Sequence, residues 1–351
     1  MSLHLFAIWL SLVPIVSWGG YYEEPKIFVF LVGLLALFIY WIVVFLKKGV
    51  VFKINKVDLF FLFWLLILLI SSFLSIDPVN AIVGGGYRHQ GVIFFFGLWV
   101  VGKTVQSISV DSKEYLGKFI GWVLVFESFL IMSQVVSGKV YFGRPLGTLG
   151  EVNAVSGMLA IGLYFIYEYL PKSFSIPLII SVFLSWSKSG ILSALTFVTI
   201  VVSNFNKALN RILWILLLVV LSAFVYKGVV FPTDSKFENR SHILKSGLFI
   251  TFERPLLGYG AESGEHLYNK VFFEMGLPIQ DLRIDRTHNL FLDVAMWSGY
   301  IGLLVFLFWG FYSFKTANIN KKYAIVAFLV YSSFQPLSVV HWIYLFVILN
   351  I

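Results

Sequence analysis

The chain has 351 residues, 59% of them hydrophobic and only 13% charged, with 37 Phe and 11 Trp. A soluble domain of this length cannot hide so much apolar surface, so the composition points to a membrane protein. There is no Cys, which excludes disulfides, thiolate metal sites and Cys nucleophiles; the net charge of +8 reads as Lys and Arg in cytoplasmic loops, with no nucleic-acid partner expected.

The first apolar run, Phe6 to Trp18, reads as a transmembrane helix rather than a signal peptide. No Lys or Arg precedes it, and no small-x-small site follows before Tyr21. Apolar runs then predict spans near 3–18, 27–46, 59–75, 91–106, 116–136, 153–170, 174–187, 190–204, 211–227, 289–313, 323–337 and 341–351. The fold class expected is all-α: a polytopic transmembrane bundle of about eleven or twelve spans, forming one integral membrane domain over residues 1–351. The pair of runs around Lys188 is short, as for broken helices meeting at a polar turn. The last run is shorter than a full span.

With the N-terminus inside, the inner loops carry Lys47, Lys48, Lys53, Lys56, Lys103, Lys113, Lys118, Lys172, Lys207, Arg211, Lys315, Lys321 and Lys322. The inner acids are only Asp58, Asp111, Glu114 and Glu168, so this orientation satisfies the positive-inside rule. It places residues 228–288, the one long polar stretch, outside as an extracytoplasmic loop with short helices. Asn239 reads as the N-cap of one such helix, ending before Pro255. Leu244, Leu248 and Phe252 recur every fourth residue and give it an apolar face for the membrane surface or the bundle.

Several chemistries are missing from the sequence. No GxxxxGK[ST] motif and no HExxH spacing occur. The first outer loop reads Tyr21-Tyr22-Glu23-Glu24-Pro25, without an Asp-x-Asp pair, and no cofactor or metal site is expected. Cations, by contrast, collect on the expected outer side: Arg88, Arg144, Lys188, Arg240, Arg254, Arg283 and Arg286, with His89, His242, His266, His288 and His341. Arg forks on the side that should be poor in positive charge point to an anionic ligand, and phosphate matches them well. Gly143-Arg144-Pro145-Leu146-Gly147-Thr148 leads through Asn153 into a helix, an arrangement suited to phosphate. Lys188, in Ser187-Lys188-Ser189-Gly190, is either a site residue or a snorkelling cation. Arg88 reads as a loop anchor or a ligand. Arg286 reads as a phosphate binder or the partner of Asp285. Glu262, Asp285 and Asp293 either support the site or neutralise neighbouring Arg. Glu127, in mid-span, is a paired acid or a lining residue. His266, His341, Arg254 and Arg283 read as surface groups.

These motifs together resemble the O-antigen ligase superfamily of bacterial envelope glycan enzymes. The shared order is an Arg-x-x-Gly-Thr turn (Arg144 to Thr148) with Asn153 before a helix, then the Ser-basic-Ser turn at Lys188. Arg240 opens the outer loop, and Pro255-Leu256-Leu257-Gly258-Tyr259-Gly260 follows. His288-Asn289 and the Gly299/Gly302 helix close the series. The resemblance covers the chain from Arg88 to about Leu304. It implies a glycosyltransferase of the bacterial cytoplasmic (inner) membrane, with its active site on the extracytoplasmic side. The donor implied is a glycan on undecaprenyl diphosphate, and the acceptor a hydroxyl on a lipid or a glycan, as in lipopolysaccharide or cell-envelope polysaccharide synthesis. It further implies His288 as catalytic base and Arg240 and Lys188 as diphosphate binders. The family usually has Arg where this chain has Lys188, a point charge without the bidentate fork. Arg144, Arg88 and Arg286 join the diphosphate-binding set, with Asp285, Asn289, Glu262 and Asp293 in support. Two alternatives stand beside a ligase. One is an O-antigen or exopolysaccharide polymerase that joins lipid-linked units. The other, of a different class, is a polysaccharide or lipid transporter, for which an internal repeat would be expected and none is seen.

Overall fold

The computed structural model describes residues 3–17, 22–49, 52–85, 87–203, 240–274 and 284–351. The expected span at 211–227, Arg283 and parts of the 228–288 loop lie outside the described residues. Within them every regular element is helical, in chain order α1 (Leu3–Leu12), α2 (Glu23–Lys48), α3 (Lys56–Phe73), α4 (Val92–Ser107), α5 (Val110–Val136), α6 (Val152–Tyr169), α7 (Ser175–Leu184), α8 (Lys188–Ser203), α9 (Arg240–Glu253), α10 (Gly264–Glu274), α11 (Leu290–Thr316), α12 (Ile319–Ser332) and α13 (Val339–Asn350). Four of these, α2, α3, α5 and α11, are long and apolar enough to cross a membrane. The first helix stops at Leu12, well before the expected 18.

The apolar pattern decides which helices face lipid and which are enclosed. On α2, Phe28, Val32, Leu35, Ile39, Ile42 and Leu46 point outward, each more than half exposed. A stripe of that size is not stable against water and belongs in hydrocarbon. α13 is apolar all round and sits at the other extreme: every residue from Val339 to Ile348 is buried. The sequence read it as a short last span, but it is the helix about which α2, α4, α6 and α12 gather. Its start is fixed by a capping box in which His341 Nδ1 accepts from the Ser338 N–H at 2.9 Å. His341 Nε2 lies 2.9 Å from the Ala154 carbonyl on α6, so the ring is a neutral, structural cross-link. The expectation that His341 is a surface group is therefore corrected: it is fully buried.

α11 is broken in its interior. Gly299 has φ 65° and ψ −176°, which no helix accommodates. The loop after α9 fills the break. Tyr259 N–H donates to Met296 O at 2.8 Å, Gly260 N–H to Trp297 O at 2.9 Å, and Tyr300 N–H to Pro255 O at 2.7 Å. Ser71 Oγ on α3 also donates to Trp297 O, at 2.6 Å. The carbonyls and N–H freed by the kink thus find partners, as buried backbone requires. A Cβ on Gly299 would lie 2.1 Å from Leu256 O, and one on Gly258 2.5 Å from Met296 O. Those contacts explain the Pro-Leu-Leu-Gly turn and the glycine in the helix as one interlocked feature.

α9 is described from Arg240 and ends at Glu253, before Pro255; the expected N-cap Asn239 lies outside the described residues. It packs on α10 and α11 through Ile243, Ser246, Gly247, Ile250 and Thr251. The stripe expected to be apolar, Leu244, Leu248 and Phe252, faces outward and is exposed. The helix therefore packs on the bundle through Ile243, Ile250 and the small residues between them, while offering a second apolar stripe to the surroundings, as an interfacial helix does.

Candidate active site

Two groups of motif residues come together where α6, α8, α9 and α11 begin. The first is built on the turn holding Arg144. Acceptors on α5 hold that turn: Glu127 takes the Thr148 N–H at 2.7 Å and its Oγ1 at 2.9 Å, and Gln134 takes the Gly147 N–H at 2.9 Å. Glu127 is thus a buried acid whose carboxyl is taken up by Thr148. The buried Lys26 donates to Thr148 O at 3.1 Å from α2. So held, Arg144 Nε donates to the Ser185 carbonyl at 2.8 Å, and Nη2 lies 3.4 Å from Asn153 Oδ1. The same Asn153 oxygen accepts from Ser187 Oγ at 2.9 Å. The Arg144 turn and the Ser187-Lys188-Ser189 turn are therefore one structure, and Lys188 stands exposed at the first position of α8.

The second group surrounds His288. Arg88 is buried and its Nε donates to Asp285 Oδ2 at 2.6 Å. Arg286 is buried too; its Nη2 donates to Glu262 Oε1 at 2.6 Å, and its guanidinium lies 4.5 Å from the Trp297 ring centroid. Glu262 Oε1 also accepts the Gln90 N–H at 2.9 Å, tying the loops before α4 and α11 together. Asp293 accepts from both the N–H and Oγ1 of Thr287, at 2.7 and 2.8 Å. Asn289 caps α11 by accepting from the Phe291 and Leu292 N–H groups. Each of the four supporting residues thus holds a specific element of the loop that carries His288.

Burial alone would raise the Asp285 carboxyl, but the Arg88 and Arg286 guanidiniums outweigh it and hold its pKa below the usual value. His288 is pushed the other way, down to about 4, by burial first and then by Arg240 and Arg88, against the opposing pull of Asp285 and a hydrogen bond with Gln335. At neutral pH it is an uncharged imidazole amid cations.

The two groups meet at the end of α12. Tyr331 Oη donates to the Asn153 carbonyl at 3.0 Å. Two residues on, Ser333 O accepts from Asn289 Nδ2 at 3.3 Å, and Phe334 O accepts from Arg240 Nη1 at 3.2 Å. Glu151, the first residue outside α6, contributes from the other side: its charge acts on both Arg88 and Arg144. The structure thus brings Arg144 and the Lys188 turn together, and Arg88, Arg240, Asp285 and His288 together, with Glu151 and Tyr331 between. Arg286, Glu262 and Asp293 form the floor beneath. Sequence reading missed Tyr331, Gln335 and Glu151 as site residues. Glu151 stands at the N-cap position of α6, where its side chain makes no cap.

Backbone strain marks the same turns. Among the described residues, five that are not Gly have positive φ: His89 (53°), Phe142 (49°), Trp186 (52°), Glu262 (55°) and His288 (59°). One lies in or beside each of the motif turns carrying Arg88, Arg144, Lys188, Arg286's partner and the base candidate. Such conformations cost on the order of 1–3 kcal/mol each and persist where the surroundings enforce them, often at functional sites. Among the described residues no group of three His, Asp or Glu is placed to hold a metal ion.

Residues 173–307 match the family model described as O-Antigen ligase. No curated protein and no solved structure matches the chain.

Proposed function

We propose that this chain, whose residues 173–307 match the O-Antigen ligase family model, is a glycosyltransferase of the O-antigen ligase and polymerase type that transfers a glycan from undecaprenyl diphosphate to a hydroxyl acceptor at the outer face of the bacterial cytoplasmic membrane. The observation that carries this reading is His288 itself: a strained, neutral imidazole held between Arg240, Arg88 and Asp285.

The chemistry follows from those groups. An acceptor hydroxyl oxygen attacks the anomeric carbon, its proton passes to a nitrogen lone pair of the imidazole, and the bond from that carbon to the diphosphate oxygen breaks. The electron pair leaves on the diphosphate, which departs with its polyprenyl chain. Negative charge therefore grows on the leaving group, and fixed cations stabilise it without a metal. Arg144, Lys188 and Arg240 are suited to supply that stabilisation, since Arg144 rests on neutral acceptors and Lys188 and Arg240 are exposed. Arg88 and Arg286 are instead committed to Asp285 and Glu262, so in this reading they fix the loop and set the field rather than grip the donor. A bound diphosphate would raise the His288 pKa from its low resting value, making it a better proton acceptor only once the donor is in place.

Ligase and polymerase share this donor chemistry and differ in acceptor. The glycolipid profile of a deletion strain separates them. Loss of capped acceptor with accumulated polymer supports a ligase; short, single-unit chains indicate a polymerase. An unchanged profile would remove the glycosyltransferase reading.

A further inference from the structure

The end of the bundle opposite the candidate active site holds a second concave feature. There the C-terminal ends of α4, α11 and α13 meet the N-terminal ends of α3 and α12 around a cavity of about 520 Å³. It lies at the far end of α11 from Leu290, around Trp309 to Thr316, at the end expected to face the cytoplasm. The proposed transfer reaction makes no use of it.

Its lining combines two chemistries. The walls are aromatic, with Trp99, Trp309 and Phe61 among them, while Lys56, Lys103, Lys315 and Lys321 stand against a single acid, Asp58. That acid is already used. It accepts from Lys103 Nζ at 2.8 Å, from the Asn55 N–H at 2.9 Å and from Trp99 Nε1 at 3.2 Å. Lys103 is in turn spent on Asp58 and the Lys53 carbonyl. The remaining three lysines leave the mouth of the cavity with excess positive charge. Ser313 supplies an independent sign. It borders both this cavity and the neighbouring apolar one, it is 6% exposed, and its buried hydroxyl has no hydrogen-bond partner. A buried hydroxyl without a partner is uncommon and costs stability unless a ligand or water satisfies it.

We propose that this cavity is a binding site for the headgroup of an anionic phospholipid. The phosphate diester would sit among Lys56, Lys315 and Lys321, with the Ser313 hydroxyl donating to it, and the start of the acyl chains would lie along the aromatic wall. A headgroup fits where a soluble anion does not: the site combines charge with an apolar wall at the ends of α3 and α11, two helices of membrane-spanning length.

The test uses the purified full chain in detergent and measures binding of a tail-labelled phosphatidylglycerol, with labelled phosphatidylcholine and unlabelled inorganic phosphate as comparisons. Saturable binding of phosphatidylglycerol is expected. Lys315→Gln/Lys321→Gln should weaken it about tenfold or more, since a charge-assisted contact is worth about that factor. Ser313→Leu, which fills the cavity without changing charge, should weaken it as well. Lys47→Gln/Lys48→Gln, at the exposed end of α2 on the same side, should change it less than about twofold. Unaltered melting of each variant in phosphatidylcholine excludes misfolding as the cause. The proposal is overturned by absence of saturable binding, by equal binding of phosphatidylcholine, by equal loss in both lysine pairs, or by inorganic phosphate binding where the lipid does not.

Discussion

At the scale of single residues, the candidate site divides its cations by burial. Arg88 is buried on Asp285, and removing one member of such a pair strands the other charge. Arg88→Ala should therefore cost about 3–5 kcal/mol of stability, and Arg88→Met/Asp285→Leu much less than the sum of the single changes; additive losses in thermal unfolding would show that the two do not act as a pair. Because its folded pKa is lowered, Asp285 contributes stability that is present above its unfolded value near 3.9 and is lost as pH falls through the folded value. His288 makes a sharper kinetic prediction. The sequence alone suggests loss of activity around the ordinary His value of about 6.5, but burial and two neighbouring guanidiniums depress it to about 4. The neutral ring is the active form, so kcat/KM, which reports the free enzyme, should hold until pH approaches about 4. A bound diphosphate favours imidazolium, so kcat should begin to fall at a higher pH than kcat/KM. Coincident acid limbs in the two profiles would mean that donor and ring do not feel each other.

At the scale of elements, the helix of residues 290–316 and the loop that plugs its kink form one device. Gly299→Ala places a methyl 2.1 Å from Leu256 O at a positive φ, and should cost at least about 2 kcal/mol and lower the folded yield. Gly310→Ala, on the same helix with no atom within 4 Å of the added carbon, should be neutral or mildly stabilising. Equal behaviour of the two variants in thermal unfolding would contradict the interlock. Much of this was legible in the sequence. The helix order followed from apolar runs, and the Gly-Arg-Pro turn and the His288-Asn289 pair both mark real element boundaries. What was not legible is long-range pairing. Nothing local tells whether Arg286 takes Asp285 beside it or Glu262, and the structure chooses Glu262 because Gln90 and the strained φ of Glu262 turn that carboxylate inward. Tyr331 and Gln335 were hidden for the same reason: they sit in an apolar run that reads only as a span.

At the scale of the whole molecule, orientation rests on the Lys and Arg count and is open to a direct probe in this Cys-free chain. Lys270→Cys, exposed on the helix of residues 264–274, should react with an impermeant thiol reagent in intact spheroplasts. Lys48→Cys, exposed at the end of the helix of residues 23–48, should react only after lysis. The reverse pattern would invert the bundle, leaving the cationic cluster facing the cytoplasm. The central claim, that the cluster around His288 performs glycan transfer with the cations gripping the donor and the imidazole taking the proton, is tested most directly with purified protein and a labelled undecaprenyl-diphosphate glycan, measuring donor binding and transfer side by side. His288→Ala should bind donor nearly as the parent does while transfer falls roughly 10²–10⁴-fold, and Arg240→Ala should weaken both. Transfer by His288→Ala near the parental rate would contradict the account and leave His288 as no more than a positioning residue.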